Sequence, residues 1–510
     1  MFVWLLLVTA LLALAVYRFR RRNMYRLASL LPGSDHELPL VGIAFDLAGN
    51  TENVMQQLIT YSYIAMRNGG LMRAWCGPIL FIVMVDPVDL EFVMKHCLEK
   101  GNLHKFSRNV IGNGGIFAPV SIWRRRRKIL VPTFSPKIVE TFVEVFSKQS
   151  EKLANILASS ANIGEVRMWT FLSTYTLDSV CETTMGVKIN SLENPDTPFL
   201  VAMTNMLHLV CERFFHIWLQ PNWMYRLFPQ HKKHDYYLKS VHNFADEVIK
   251  KKREEVKNNT QNETETKSEF DLSNYQTKTF LDHLIKLSGG DEGYTNVELR
   301  EEILMLAVAG TDTSAVAVGF TMKLLAKYPH IQEQVYQELH EIFGNSDRRL
   351  VKEDLPRLKC MDRVVRETMR LFPPVPLIAR QVVEDIKLPS GHILPAGGTI
   401  SISIWGAHRD PKYWGPNAEE FDPDRFLPER FNLTHPCSFM PFSQGPRNCV
   451  GYQYAMMSIK TVLSAVLRRY KLVGEPEETK IPHIRVKVDL MLKDVDGFKV
   501  CLEQRKLVTQ

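Results

Sequence analysis

The chain has 510 residues, 45% hydrophobic and 23% charged, with a formal net charge of +7. Those fractions are ordinary for a globular protein, and the length permits several domains without requiring them. The Lys/Arg excess is small, no basic stripe is interleaved with aromatics, and nucleic acid is not an expected partner. Eight cysteines are present (Cys76, Cys97, Cys181, Cys211, Cys360, Cys437, Cys449 and Cys501), with no CxxC pair. That pattern offers no structural zinc site, is too sparse for a disulfide scaffold and fits a reducing compartment.

Phe2 to Tyr17 is nearly all apolar, and Arg18, Arg20, Arg21 and Arg22 follow at once. A cleaved signal peptide carries its positive charge before the apolar run. Here the charge comes after, which places everything downstream in the cytosol by the positive-inside rule. The run is short of the about 20 residues a span needs, but Phe19 extends it and Arg18 can snorkel. Residues 1–22 are therefore expected to be an uncleaved anchor with a basic stop. Residues 23–44 hold Pro32, Gly33, Pro39 and Gly42; they read as a stiff hinge, with an ordinary surface loop as the alternative. Residues 45–510 show no break that would divide two domains.

Leu71–Cys76 and Ile79–Val85, joined by Gly77-Pro78, predict a β-hairpin. Pro87 to Tyr328 reads mostly as helix, with a loop over Ser191–Pro198 and a polar loop over Asn258–Lys278. Phe214–Phe228 is dense in aromatics and links two helices; it is either a core segment or a loop dipping into a membrane surface. Asn296–Lys327 lacks proline and central charge, which predicts one long, largely buried helix. A further helix over Leu358–Phe372 stops at Pro373-Pro374. Strand-like runs with turns fill Pro376–Ile404, irregular chain fills Ala407–Pro441, and a last helix covers Val450–Arg469 before a small β region. An irregular stretch of that length inside a compact body tends to be functional. The inventory predicts a mainly α chain with a minor, segregated β part, an α+β class.

The stretch Phe442–Gly451, FSQGPRNCVG, carries the chemistry. A cysteine thiolate on haem iron pushes electron density onto the metal and favours O–O cleavage. Gly445 and Gly451 permit a tight turn and close approach of backbone N–H groups to the Cys449 sulfur. Arg447 suits a propionate carboxylate, and Phe442 can shield the sulfur face. The pattern F-x-x-G-x-R-x-C-x-G arises by chance in a chain this long with odds on the order of one in ten thousand. The loop resembles the haem-binding loop of the cytochrome P-450 superfamily. The anchor and proline hinge are similar to those of its microsomal members, and the whole chain looks most like insect members of family four.

The resemblance implies haem b, ligated by Cys449 and lying between the long central helix and the cysteine-loop helix. It makes AVAGTDTSAV the oxygen-binding segment, with Gly310 against the haem and Asp312 and Thr313 as a proton relay. Physically, a hydroxyl and a carboxyl near bound dioxygen can supply the protons that O–O scission requires. Many family-four members carry a glutamate, able to bond covalently to haem, where this chain has Ala309. Haem is therefore expected to be held by coordination and packing alone, and the fatty-acid reading attached to that glutamate is weakened. Glu367 and Arg370 share a helix face; taken alone such a pair is a surface ion pair of little worth. The resemblance adds Arg425 and makes the three a structural lock for the cysteine loop. It assigns Trp123, Arg127 and Arg380, with Arg447, to the propionates, and leaves Arg124, Arg125 and Lys128 free to dock an acidic electron donor. His104 reads as a surface or packing residue.

The expected activity is insertion of one atom of dioxygen into an apolar small molecule, whether fatty acid, odorant, hormone or foreign compound. Electrons would come from NADPH through a separate NADPH-cytochrome reductase, with cytochrome b5 as an accessory donor, because no G-x-G-x-x-G follows a strand here. The expected site is the endoplasmic reticulum membrane, with the catalytic body cytosolic. The alternatives are a hydroperoxide-rearranging haem enzyme and a non-catalytic haem or ligand-binding protein; the Asp312–Thr313 pair argues against both.

Overall fold

The computed structural model describes residues 2–34, 37–101, 104–262, 279–287, 294–431 and 435–505. Of the polar stretch predicted as a loop, residues 258–262 close the helix Pro229–Asn262, and residues 263–278 lie outside the described residues.

Asn296–Lys327 is one helix of 32 residues. Its start is a capping box: the Thr295 hydroxyl accepts the Glu298 N–H at 3.2 Å while the Glu298 carboxylate accepts the Thr295 N–H at 3.0 Å. It stops where Pro329 opens the next helix. The helix is long and apolar enough to cross a bilayer, but 83% of its apolar window is buried inside the body, so it is a core element. Phe320 shows why it is central: its ring stacks on Phe372 at 4.7 Å and meets Phe498 edge-on at 4.9 Å. Burying each such side chain contributes about 1.5–3 kcal/mol.

The β part is small and segregated. The predicted hairpin forms as Leu71–Cys76 and Ile79–Met84. Ile79–Met84 pairs in parallel with Thr399–Ser403, which pairs antiparallel with Leu377–Gln381. Near the C-terminus, Val486–Asp489 and Met491–Asp494 form a second hairpin around Leu490. The mainly α, α+β class is the one observed.

Residues 29–34 and 37–44 are strapped to the first hairpin. Arg73 N–H donates to Pro32 C=O at 2.7 Å, Ile43 N–H to Trp75 C=O at 2.7 Å, and Gly77 N–H to Val41 C=O at 2.9 Å. The N-terminal helix Phe2–Arg20 is exposed along most of its length. Just after it, the Arg21 guanidinium donates to Pro78 C=O of the hairpin turn at 2.6 Å, and Tyr25 on the next helix, Arg22–Ala28, stacks on Trp75 of the first strand at 4.6 Å.

Candidate active site

A cavity of about 430 Å³ runs between the central helix, the four-stranded sheet and the cysteine loop. That volume lies within the about 300–1,000 Å³ usual for small-molecule and cofactor sites. Its walls are mostly apolar, and the sequence-predicted residues reach it from several elements.

Cys449 and Gly451 come from the loop ahead of the helix Tyr452–Arg469, and Cys449 opens onto the cavity. The loop turns through Ser443 (φ +60°) and Gly445 (φ +74°) and closes with the Cys449 N–H on Phe442 C=O at 2.9 Å. Gly445 takes the tight turn expected of it, at a positive φ, and it also packs closely against the body. A Cβ there would lie 2.8 Å from the Met94 carbonyl oxygen, so its bareness also seats the loop on the body. Phe442 lines the cavity and packs edge-on against Tyr452 at 4.7 Å. Burial pushes the Cys449 thiol up, opposed by the Gly451 backbone N–H and by Arg127. A bound metal cation would ionise such a thiol outright.

The charged end of the cavity is cationic. Arg380 is fully buried on the strand Leu377–Gln381, and its Nε and Nη2 have no partner among the described residues. Arg447 spends Nη2 on Ala118 C=O at 2.8 Å, lies 4.3 Å over the Trp123 ring and has no partner for Nε among the described residues. Burial and mutual repulsion push Arg447 down to about 10, and burial does the same to Arg380. Arginines in that condition lack an anion, and the unpartnered N–H groups fit two carboxylates, the charge that haem carries as propionates. Arg127 lines the same cavity but also braces the cysteine loop, donating to the Asn448 carbonyl at 2.7 Å and its side-chain oxygen at 2.6 Å.

Two further groups at this end escaped sequence reasoning. Lys100 lines the cavity, and burial beside Arg380 and Arg447 pulls its ammonium well down. His104, expected as a surface or packing residue, lines the cavity between Phe117 and Phe214, with both ring nitrogens unpartnered among the described residues. Burial keeps it neutral. No local pattern marks either residue, since Lys100 is defined by Arg380 and Arg447, far along the chain, and His104 by the fold that brings Phe214 against it.

On the central helix, Ala309, Gly310 and Thr313 face the cavity. Gly310 is packed so closely that a Cβ would meet the Val180 side chain at 2.5 Å. The Thr313 hydroxyl donates to Ala309 C=O at 2.6 Å. Asp312 departs from expectation and is absent from the cavity wall. Its buried carboxylate lies 3.2 Å from Lys493, whose ammonium sits 4.2 Å over the Trp169 ring. Adjacent helix residues point in different directions, so Thr313 facing the cavity turns Asp312 toward the C-terminal hairpin.

Glu367, Arg370 and Arg425 lie off the cavity, as expected of a lock. Glu367 and Arg370 are both fully buried and pair twice, at 2.7 and 2.8 Å. Arg370 also donates to the carbonyls of His408, Ala418 and Glu420 at 2.9, 2.6 and 3.0 Å. Arg425 approaches Glu367 at 3.4 Å. The link to the cysteine loop is His408, which the sequence did not announce. Its Nε2 accepts the Met440 N–H at 2.8 Å, so Nδ1 is the donor to Arg370 C=O at 3.1 Å.

Burial holds His408 down to about 3. A histidine depressed on folding contributes stability that is present above its ordinary value of about 6.5 and is lost as pH falls below it. By pH 5 the loss from this group is expected to be about 2 kcal/mol. Chemical denaturation from pH 7 to 5 checks it: His408→Gln should be less stable at pH 7 but lose less on acidification.

The cytochrome P450 family model matches residues 32–502. "Cytochrome P450 4d2" of Drosophila melanogaster is 31% identical over 99% of this chain and 99% of its own. "Cytochrome P450 4V2" of Homo sapiens is 32% identical over 93% of this chain and 90% of its own. A solved structure, "Crystal structure of cytochrome P450DA heme domain", shares the fold with a TM-score of 0.78 and 21% identity, covering 94% of this chain and 98% of that one. The matched span holds the cysteine loop, the central helix and the buried Glu367–Arg370 pair, and its relatives extend over nearly the whole chain; this protein belongs to the cytochrome P450 family and is a haem-thiolate monooxygenase.

Proposed function

We propose that Cys449 would supply the thiolate ligand to haem iron, that Arg380, Arg447 and Trp123 with Arg127 would hold the haem propionates, and that the Thr313 hydroxyl would supply protons to the oxygen chemistry. The observation that carries this reading is one cavity into which the Cys449 sulfur, the Thr313 hydroxyl and unpartnered arginine N–H groups all open. Haem, when bound there, supplies dioxygen activation, and a thiolate ligand favours O–O cleavage. The chain's own groups do the rest. Apolar walls take the substrate and exclude water, and the Thr313 hydroxyl can turn from Ala309 C=O to pass a proton on. Asp312 joins that relay when its carboxylate leaves Lys493. Ala309 offers no carboxylate to haem, so denaturation in acid should release all the haem from the chain, checked by the absence of haem on the polypeptide in a denaturing gel.

The substrate is read as an apolar small molecule, because few polar groups lie away from the cationic end. Electrons are read as coming from NADPH through a separate reductase. Arg124 and Lys128 are exposed and fit an acidic donor; Arg125 is partly engaged, 3.6 Å from Glu298. Residues 1–22 are read as an endoplasmic-reticulum anchor, residues 23–44 as its strapped hinge and residues 45–510 as the catalytic domain. Phe2, Trp4 and Phe19 are 73%, 74% and 66% exposed, and Leu40 on the hinge is 68% exposed. Trp223 and Leu227, 65% and 76% exposed in the aromatic linker, support contact of that linker with the membrane surface.

The test is turnover of an apolar panel by the haem-loaded chain with NADPH and a cytochrome reductase. Hydroxylated product with matching dioxygen uptake is expected. Consumption of lipid hydroperoxide without NADPH or dioxygen would contradict it and favour the rearranging alternative.

A further inference from the structure

Three glutamates crowd one buried arginine beside a segment of the cavity wall. The Arg126 side chain is 3% exposed, and its Nη2 lies 2.8 Å from Glu301 and 3.3 Å from Glu298. Nη1 lies 3.1 Å from Glu302 and donates to the Asn113 carbonyl at 2.5 Å. Glu302 is 2% exposed at its side chain and also accepts the Gly115 backbone N–H. Arg126 belongs to the helix Val120–Thr133 and the glutamates to the central helix. Asn113 and Gly115 belong to the segment between Ile111 and Val120, which supplies Gly115, Ile116 and Phe117 to the cavity wall. That segment is thus joined to one ion pair through both a C=O and an N–H. It also lies hard against the central helix: a Cβ on Gly114 would meet the Glu301 carbonyl oxygen at 2.6 Å.

A buried ion pair is a poor way to gain stability, because desolvating the charges consumes most of the Coulomb energy. Its use here is positional. We propose that Arg126 and Glu302 latch the wall segment 112–119 against the central helix and so govern access to the cavity, with the latch loosening as pH rises. The proposal rests on reading the cavity as the haem and substrate site.

Burial raises the Glu302 carboxyl to about 7 despite Arg126 and the Gly115 N–H, with Glu301 adding to the rise. The groups facing it are Arg126 and, farther off, Arg125 from the helix Val120–Thr133, Glu298 and Glu301 on its own helix, and Tyr294 just before that helix. The wall segment 112–119 contributes backbone alone, having no titratable side chain. With the segment displaced, a solvated glutamate returns to about 4.3. The closed segment therefore holds the proton more tightly than the open one. Closure is fully favoured at low pH and weakens as pH rises through 7. Between pH 6 and 8 the closed-to-open ratio should fall about tenfold.

The test uses the haem-loaded full chain, with carbon monoxide as a non-titrating ligand and its association rate after flash photolysis as one readout. Amide hydrogen exchange over 112–119 is the second readout, compared between wild type and Glu302→Gln at matched pH so that intrinsic exchange cancels. Carbon monoxide association should rise up to tenfold from pH 6 to 8 in wild type and stay flat in Glu302→Gln. The wild-type to variant exchange ratio should rise by the same factor. A flat wild type, or a variant with the wild-type slope, overturns the latch. If no thiolate haem forms, the cavity reading fails by itself, and the exchange ratio still decides the latch.

Discussion

Replacing Arg370 with methionine is expected to leave a chain that does not retain haem and is close to unfolding at ambient temperature. Glu367 and Arg370 are fully buried, so the variant leaves a carboxylate in the core with only the longer Arg425 contact and the Asp422 N–H to balance it. Breaking such a pair costs about 3–5 kcal/mol. Three carbonyls, of His408, Ala418 and Glu420, lose their donor as well. Against a typical total of about 5–15 kcal/mol, that is a large share. The damage should reach the cysteine loop through His408, whose Nε2 accepts the Met440 N–H. Haem content and urea unfolding check it. Arg425→Met, removing a longer 3.4 Å contact, should lose less on both measures.

Thr313→Ala has the second largest expected effect, and it acts on chemistry rather than on folding. Among the described residues the hydroxyl bonds within its own helix turn, to Ala309 C=O. Its loss should change stability by no more than about 1 kcal/mol. Removing a positioned proton donor typically costs about 10²–10⁴-fold in the step it serves. Product formation should therefore fall at least about tenfold while NADPH consumption continues, with the electrons recovered as hydrogen peroxide. Product, NADPH and peroxide measured together separate this from a folding defect. Coupled turnover at the wild-type level would remove Thr313 from the relay.

Local signals carried much of the architecture. The Gly77-Pro78 turn sets the hairpin, and the proline-free apolar run 296–327 sets the central helix, because each depends on residues close in sequence. The cysteine loop was legible for the same reason: its glycines, arginine and cysteine lie within ten residues. What stayed hidden is long-range. Asp312 reads as a cavity acid until Lys493, far along the chain, is seen holding it. His408 is an unremarked histidine in irregular chain until the fold sets it between Arg370 and Met440. WRRRRK reads as one basic face, yet the helix sends Arg126 into a carboxylate cluster, Arg127 to the cysteine loop and Arg124 to solvent. Periodicity separates those directions, but only the packing partners give them meaning.

The central claim is thiolate ligation by Cys449. The measurement is the Soret spectrum of the dithionite-reduced, carbon monoxide-bound protein, recorded for wild type and Cys449→Ser. A strongly red-shifted band in wild type, absent from the variant, is the expected result. An unshifted, imidazole-type band in wild type, or a red-shifted band that survives in Cys449→Ser, would contradict the account.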